Sequence, residues 1–164
     1  MSRKKSMPES RGNKIIGAGD RSDFVSVTIA DQLFGIPVLQ VQDVLGAQRI
    51  TRVPLAPPEV AGSLNLRGRI VTAIDIRTRL RLPPRPESQH GMSVVCDYEG
   101  ELYSLLVDAV GEVLSLENNA AERNPATLDP VWREVSAGIY RLDSKLLVVL
   151  DVARVLDFSA RAAA

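Results

Sequence analysis

The chain is poor in the residue types on which most enzymes and metal sites depend. Its 164 residues include one cysteine, Cys96, and one histidine, His90. A single cysteine excludes an internal disulfide and favours a reducing compartment. One cysteine and one histidine cannot make a structural zinc site, and a lone histidine in a proline-rich segment supports neither a histidine-rich metal site nor a histidine-based triad. We therefore expect neither a metal ion nor another cofactor.

Aromatic residues and long apolar runs are also scarce. Phe, Tyr and Trp make up 4% of the sequence and are scattered along it, which disfavours a base-stacking surface for nucleic acid. No apolar run approaches the roughly 20 residues of a membrane-spanning helix. The basic N-terminus lacks the apolar core of a signal peptide, and the chain has no glycine-rich phosphate loop. These absences predict a cytoplasmic protein that does not insert into a membrane.

The formal net charge is zero, but the charges are unevenly distributed along the chain. Residues 49–85 carry eight arginines against two acids, a net +6, whereas residues 96–157 carry twelve acids against five bases, a net −7. Such an asymmetry favours polar association with charged protein surfaces. It suits nucleic acid poorly, because half of the chain would repel phosphate.

One pattern occurs twice in the chain. Residues 62–80 match residues 138–156 at a constant offset of 76, which pairs Asp75 with Asp151. In the first copy, two apolar runs rich in β-branched residues flank Gly68, and glycine supplies the backbone freedom that a tight turn needs. The pattern predicts a β-hairpin followed by a short helical turn that Asp75 caps. Its recurrence indicates a duplicated unit.

A second block extends the repeat. Residues 33–45 match residues 102–114 at an offset of 69, so the offset grows by seven between the two blocks. The seven extra residues fall in the polar stretch from Glu117 to about Trp132, since surface loops tolerate insertions and regular strands do not. Each copy then predicts about five short strands joined by turns, the pattern of a small closed barrel.

We predict an all-β fold of two tandem barrels with short helical turns. The expected ranges are a disordered basic arm over 1–22, a first barrel over 23–88, a second barrel over 89–158 and a tail over 159–164. A unit of roughly 65 residues has a thin core, so the two barrels are expected to share apolar surface and to fold together. The spacing leaves open whether they exchange strands.

Few residues are candidates for chemistry. Asp75 and Asp151 form a repeated carboxylate pair of the kind that acid–base catalysis uses, but their position after apolar strands favours helix capping. Cys96 lies in an apolar strand and is expected in the core. Trp132 is equally consistent with a partner anchor and with a cover for one barrel end. Arg67 is either a solvated turn residue or an arginine that pairs with another surface.

Several segments together resemble the CheW-type chemotaxis coupling proteins. They are Phe34-Gly-Ile, Val41-Gln-Asp-Val, Val60-Ala-Gly-Ser-Leu-Asn-Leu-Arg-Gly and Ile74-Asp-Ile-Arg in the first half, and Val107-Asp-Ala-Val-Gly-Glu-Val-Leu-Ser-Leu and Leu146-Leu-Val-Val-Leu-Asp-Val in the second. The resemblance extends from about Phe24 to Phe158, nearly everything outside the arm. The Asn-Leu-Arg-Gly hairpin and the Val-Asp-x-Val-x-Glu-Val-Leu segment are its most specific parts.

The resemblance implies both a fold and a function. The fold is two five-stranded barrels, one SH3-like and one closer to an OB-fold, with an apolar groove between them. The function is that of a non-catalytic adaptor, which binds the cytoplasmic tip of a chemoreceptor in the groove and the regulatory domain of the histidine kinase CheA at barrel ends. Such a protein is cytoplasmic and is recruited to membrane-associated receptor arrays, where kinase and adaptor alternate head to tail.

The resemblance also carries over a set of receptor- and kinase-binding residues. They are Val41, Asp43 and Val44 in the first barrel, Asn65, Leu66, Arg67 and Gly68 in the hairpin, and Val107, Asp108 and Val110 in the second barrel. The loop from Glu117 to Asp129 departs from the family. It is polar where relatives often carry an apolar or aromatic contact for the second kinase interface of the array.

Two rival hypotheses lead to different expectations. An OB-like nucleic-acid-binding protein that uses the basic arm requires clustered aromatic residues and a continuous positive face. A small carboxylate enzyme requires a pocket in which Asp75 and Asp151 converge. The adaptor hypothesis requires neither feature.

Overall fold

The computed structural model describes residues 20–86 and 89–158, which form ten strands and three short helices. The strands are β1 (Arg21–Ile29), β2 (Gln32–Pro37), β3 (Val41–Leu45), β4 (Val60–Leu66), β5 (Arg69–Asp75), β6 (Met92–Tyr98), β7 (Glu101–Val107), β8 (Ala109–Glu117), β9 (Ser136–Leu142) and β10 (Lys145–Leu150). The helices are α1 (Ile76–Arg79), α2 (Pro130–Val135) and α3 (Val152–Val155), and 3-10 turns cover Val38–Gln40 and Asn118–Ala120.

The first strand begins inside the range predicted as an arm. Arg21 and Ser22 belong to β1 and pair with the end of β8. The Arg21 side chain strengthens this pairing, because its Nη2 donates to the Ser115 carbonyl oxygen at 2.7 Å. Residues 1–19 of the predicted arm and the predicted tail, 159–164, lie outside the described residues.

The strands form two five-stranded sheets. The first sheet has the order β8-β1-β2-β10-β9, and the second has the order β3-β6-β7-β5-β4. The predicted all-β fold with short helical turns is confirmed. The predicted closure into barrels is not, because among the described residues each sheet begins and ends in an edge strand rather than forming a continuous ring of paired strands.

Each sheet takes strands from both copies of the repeat. The first sheet combines β1 and β2 with β8, β9 and β10, and the second combines β6 and β7 with β3, β4 and β5. The two copies therefore exchange their first two strands, and the predicted division into 23–88 and 89–158 does not follow the sheets. The exchanged pairings are parallel and equivalent: β2 lies beside β10 in the first sheet, as β7 lies beside β5 in the second.

One edge strand of each sheet gains a single further β-bridge from a loop residue. Thr51 bridges to β4 in the second sheet, and Glu122 bridges to β9 in the first. The repeated glycines make these close approaches sterically feasible. A Cβ atom on Gly62 would overlap the Thr51 carbonyl oxygen, and one on Gly138 would lie 2.9 Å from the Glu122 carbonyl oxygen. Both glycines also have positive φ angles, 151° and 144°, which residues with a side chain rarely adopt.

The largest core lies between the two sheets. It includes Val27, Phe34 and Val148 from the first sheet and Cys96 and Leu105 from the second, all fully buried. Each sheet also has one smaller apolar cluster on its opposite face. The predicted shared apolar surface is therefore present, and burial of this surface is the main force that holds the two sheets together.

The repeated aspartates cap helices, as their position in the sequence predicts. Asp75 Oδ1 accepts a hydrogen bond from the Thr78 backbone N–H at 3.3 Å, and Asp151 Oδ1 accepts one from the Arg154 backbone N–H at 3.3 Å. Each carboxylate is thus bonded to the first turn of its own helix, α1 or α3.

Removal of one cap should lower stability measurably. We expect Asp75→Ala to reduce the free energy of unfolding by about 1 kcal/mol, because one N–H group at the helix start loses its acceptor. Asp75→Ser, which retains a capping oxygen, should stay near the wild-type value. Urea unfolding followed by circular dichroism measures both variants, and equal losses for Ala and Ser would contradict the capping assignment.

One buried cation ties the two copies together. Arg79, at the end of α1, is 4% exposed. Its Nε donates to the Val155 carbonyl oxygen at 2.9 Å, and its Nη2 donates to the Arg154 carbonyl oxygen at 3.0 Å. These carbonyls end α3, where a positive charge is favoured by the helix dipole. The first copy of the repeat thus caps the last helix of the second copy.

Candidate partner-binding surface

The predicted hairpin residues form the tight turn between β4 and β5. Asn65 Oδ1 accepts a hydrogen bond from the Gly68 backbone N–H at 3.0 Å, which fixes the turn. Arg67 has a positive φ angle of 52° and an exposed side chain, while Leu66 packs partly against the cluster of the second sheet. The turn therefore presents Arg67 at the surface on a rigid frame.

Arg67 and Asp43, both in the predicted set, contact each other. The Arg67 Nη2 and Asp43 Oδ2 atoms are 2.7 Å apart, and this ion pair links the β4–β5 turn to the edge strand β3. The hydrogen bond from Arg67, followed by one from the Val44 backbone N–H, lowers the pKa of Asp43. The carboxylate that Arg67 contacts thus belongs to its own chain, and the pair spans the open side of the second sheet.

The remaining first-copy residues are half-buried or exposed. Val41 packs against the core between the sheets, and Val44 is 38% exposed on the edge strand β3. Val44, Arg67 and Asp43 therefore share one stretch of surface along β3 and the adjacent turn.

Two of the three second-copy residues in the predicted receptor- and kinase-binding set do not offer free surface. Val107 is 0% exposed and lies in the core between the sheets. Asp108 is held inside the molecule: its carboxylate contacts Arg77 Nη2 at 2.6 Å and Arg85 Nη1 at 3.6 Å, and it accepts from the Ala30 backbone N–H at 2.8 Å. Val110 is partly buried against the same core.

The structure reveals an exposed surface that the predicted set largely misses. The face of the second sheet that packs on the first sheet continues beyond the contact. Along it, Thr72 lies opposite Tyr103, and Ile70 lies opposite Asn65. Thr72 and Tyr103 are half-buried, whereas Ile70 is 70% exposed and Asn65 is exposed. We call these four residues the open face; Asn65 alone was in the predicted set.

Comparison of the two copies explains why this face is uncovered. In the first sheet the equivalent of Tyr103 is Phe34, which is fully buried beneath Trp132 of α2 with the ring centroids 5.5 Å apart. The equivalent of Ile70 is Leu146, which packs partly against the core. The first sheet thus has an internal cover for the surface that the second sheet leaves open, and Trp132 serves as that cover.

The second sheet has a loop where the first has the helix α2. The Val135 carbonyl oxygen at the end of α2 accepts from the Asp151 N–H at 2.8 Å, and the Glu59 carbonyl oxygen accepts from the Asp75 N–H at the same distance. Residues 54–59 are therefore the equivalent of α2, and the alanine at position 56 stands where the second copy has Trp132. The sequence therefore does carry a signal for the open face, because the first copy has an alanine at the position where the second copy has the covering tryptophan.

Charged residues of both signs lie around the hairpin and the open face. Arg49, Arg52 and Arg69 are exposed near the hairpin, in addition to Arg67. Burial, with the nearby charge of Glu101 as the second cause, raises the pKa of the Tyr103 phenol. Tyr103 therefore stays neutral at physiological pH and contributes an aromatic ring to the open face, with the Glu101 carboxylate 3.5 Å from its hydroxyl group.

The described residues carry little reactive chemistry. Burial raises the pKa of the Cys96 thiol to about 12, so this predicted core cysteine is protonated and inaccessible. Within residues 20–86 and 89–158, no three His, Cys, Asp or Glu side chains are grouped so as to hold a metal ion. None of the helices in these ranges is long and apolar enough to cross a membrane. The arrangement is suited to binding another molecule by apolar contact and by arginine.

Comparison with known proteins identifies the family. Residues 23–160 match the family model of the CheW-like domain. The probable chemotaxis protein CheW of Rhizobium etli is 26% identical over 139 residues, which cover 85% of this chain and 89% of that protein. The chemotaxis protein CheW of Klebsiella aerogenes is 26% identical over 145 residues, covering 88% and 87%. The crystal structure of the scaffolding protein TtCheW from Thermoanaerobacter tengcongensis superposes with a TM-score of 0.71 and 29% identity, covering 79% of this chain and 88% of that one. The chain therefore belongs to the CheW-like family and is a chemotaxis coupling adaptor.

Proposed function

We propose that this adaptor couples a CheA-type histidine kinase to the cytoplasmic tip of a chemoreceptor and catalyses no reaction itself. The observation that carries the proposal is the open face, where the exposed Ile70 lies beside the half-buried Thr72 and Tyr103. It ends at the Arg67–Asp43 ion pair, so apolar anchoring and charge recognition lie side by side. This combination is typical of surfaces that receive an amphipathic helix.

The first sheet supplies an internal precedent for such binding. There, α2 lays Trp132 on Phe34 and removes the equivalent face from water. A receptor helix that packs on Ile70 and Tyr103 would do for the second sheet what α2 does for the first. Because the open face is small, one contact of this kind is weak, and an array gains affinity through several simultaneous contacts.

The proposed kinase contact uses the edge strand β3 and the hairpin. Val44 and Arg67 are exposed there, and the ion pair with Asp43 holds the Arg67 side chain in place. In the segment from Glu117 to Asp129, Glu122 is already bound within the chain. Its backbone pairs with Ile139, and its carboxylate lies 3.0 Å from Arg141 Nε. Since both proposed partners are cytoplasmic, we also propose that the protein resides in the cytoplasm and is recruited to receptor arrays at the membrane.

A co-sedimentation experiment tests the function. The full chain is mixed with vesicle-displayed receptor-tip fragments, with or without the regulatory domain of CheA, and the pelleted fractions are compared. We expect the chain to pellet with the receptor fragment alone and the kinase domain to pellet only when the chain is present. A chain that binds neither fragment, or a kinase domain that pellets equally without it, would refute the proposal.

Reversal of the hairpin charge should uncouple the partners without unfolding the chain. In Arg67→Glu, two carboxylates face each other at a largely exposed position, so the expected melting temperature is close to that of the wild type. The expected recruitment of the kinase domain in the pelleting assay falls severalfold, because the cationic anchor is lost. Arg133→Glu, which reverses the charge of an exposed arginine on α2 of the first sheet, is the matched control for net charge. If the melting temperature falls substantially together with kinase recruitment, the loss of recruitment comes from unfolding and Arg67 is structural.

A further inference from the structure

The cover on the first sheet is a short segment that is attached at both ends. Before it, the backbone of Glu122 pairs with β9. After it, the Val135 carbonyl oxygen accepts a hydrogen bond of 2.8 Å from the backbone N–H that follows β10. Residues 125–134, which we call the lid, lie between these attachments and are all exposed or half-buried. The lid packs on the core between the sheets through the partly buried Leu128 and Trp132.

Closure of the lid has an energetic cost. The indole ring of Trp132 contacts Phe34, but its Nε1–H group is buried and has no hydrogen-bond acceptor among the described residues. A buried donor without an acceptor has lost its hydration without compensation. Opening of the lid returns this group to water, so the loss of the apolar contact is partly offset.

The second sheet shows that the fold does not require a lid. Its equivalent face, with Ile70 and Tyr103, is uncovered, and its loop has Ala56 where the lid has Trp132. The strand orders of the two sheets are nevertheless equivalent. The lid can therefore leave the first sheet without the loss of a strand.

We propose that the lid opens as a unit in the folded chain and that the face beneath it, centred on Phe34, is a second helix-binding face. Its occupant is an amphipathic helix with a large apolar side chain, because the face already holds such a helix when the lid is closed: α2 seats Trp132 on Phe34. The partner has the same chemistry as the helix proposed for the open face. This assignment of the partner rests on the proposed function, whereas opening of the lid does not.

The lid makes the second face conditional on partner concentration. A short segment that is only partly buried opens at much lower cost than the whole domain unfolds, and we expect an open population of about 1%. A helix that binds only the open form then binds about 100-fold more weakly than it binds the same face without a lid. At low partner concentration the open face alone is occupied, and the second face fills when the partner is concentrated.

Native-state hydrogen exchange of the full chain, followed by NMR, tests the opening. Trp132 is the only tryptophan in the sequence, so its indole N–H gives a single signal. We expect a protection factor of about 100 that hardly changes at low urea concentration, because lid opening exposes little surface. The amide of Arg133, which donates to the Asp129 carbonyl oxygen within the lid, should show the same protection. The amides of Ile139 and Asp151, which donate to the two attachments, should be protected much more strongly.

Calorimetric titration with a receptor-tip fragment tests the second face. Ile70→Glu blocks the open face, and Trp132→Ala opens the lid because it removes the contact with Phe34. We expect Ile70→Glu alone to bind about 100-fold more weakly than the wild type, and the double variant Ile70→Glu/Trp132→Ala to regain at least about tenfold of that loss. The matched control is Ile70→Glu/Val131→Ala, which changes the same helix but retains the tryptophan. It should bind as weakly as Ile70→Glu alone.

Three outcomes would overturn this proposal. The first is an indole N–H that exchanges only on global unfolding, with the urea dependence of the strand amides. The second is a Trp132→Ala chain that does not fold, because the first sheet then requires its cover. The third is a folded double variant that binds no better than the Val131→Ala control. A wild-type chain that binds no receptor fragment would instead refute the coupling function and the second face together, while the exchange measurement would still decide whether the lid opens.

Discussion

Ile70→Glu should reduce the affinity of the chain for a receptor-tip fragment by about 100-fold. Ile70 is 70% exposed at the centre of the open face, so its replacement leaves the fold intact but places a carboxylate where the proposed helix packs. Loss of one buried isoleucine side chain accounts for about 2–3 kcal/mol, and a desolvated charge adds to the penalty. Isothermal titration calorimetry with the receptor fragment measures the change. Ile70→Ala, which loses only the apolar contact, should weaken binding by a smaller factor.

The matched control is Val113→Glu. Val113 lies on β8 of the first sheet and is 60% exposed, so the substitution introduces the same charge at a comparable strand position away from the open face. We expect wild-type affinity for this variant. If both glutamates weaken binding equally, a general charge effect is responsible and the open face is not the receptor site.

Asp108→Asn should destabilise the chain by about 2–4 kcal/mol, a large share of the stability of a typical domain. The Asp108 side chain is 14% exposed and contacts the guanidinium of Arg77, itself 12% exposed, at 2.6 Å. An amide in its place leaves two arginines without their counter-charge at a largely buried site. Urea unfolding should show a lower midpoint with an unchanged slope, since the surface exposed on unfolding stays the same. Receptor affinity per folded molecule should not change.

The penalty should depend on pH in a defined direction. Burial opposes ionisation of Asp108, but the hydrogen bonds from Arg77 and from the Ala30 N–H outweigh it, and the pKa of Asp108 lies below its ordinary value. A lowered folded-state pKa contributes stability that is complete above the unfolded-state pKa, about 3.9, and is lost as the pH falls through the folded-state pKa. The difference between wild type and variant is therefore largest at neutral pH and shrinks below about pH 4.

Asp143→Asn serves as the control for Asp108→Asn. Asp143 is exposed in the turn between β9 and β10 with a φ angle of 36°, a conformation that asparagine also tolerates. We expect little loss of stability at any pH. A comparable loss in the control would mean that the ion pairs of Asp108 do not carry the effect.

Local features of the fold were accessible from the sequence because they depend on neighbouring residues. The turn at Gly68, the caps at Asp75 and Asp151, and the burial of Cys96 follow from backbone freedom, short-range hydrogen bonds and apolar alternation. The strand exchange was not accessible, because it depends on which β-strand partner β2 chooses across more than a hundred residues. Both choices bury the same apolar face, so the pattern of the strands alone does not distinguish them.

For a similar reason, the candidate binding site could be predicted from the sequence only in part. A motif identifies the hairpin at Asn65 and Arg67, but it does not say which of its residues are exposed. Val107 and Asp108 belong to a recognisable segment and yet face inward, one toward the core and one toward Arg77. Ile70 has no distinguishing motif, and it becomes noticeable only when its sheet is compared with the one that α2 covers.

The strand exchange also constrains how the chain is made. β2 pairs with β10, so the first sheet cannot be completed until the last strand has left the ribosome. Until β8 and β10 have been synthesised, β1 and β2 form an exposed hairpin whose two outer edges have no strand to pair with. Such a state is prone to aggregation. Because the second sheet needs only strands β3 to β7, it can assemble first and give the waiting hairpin an apolar surface to dock on.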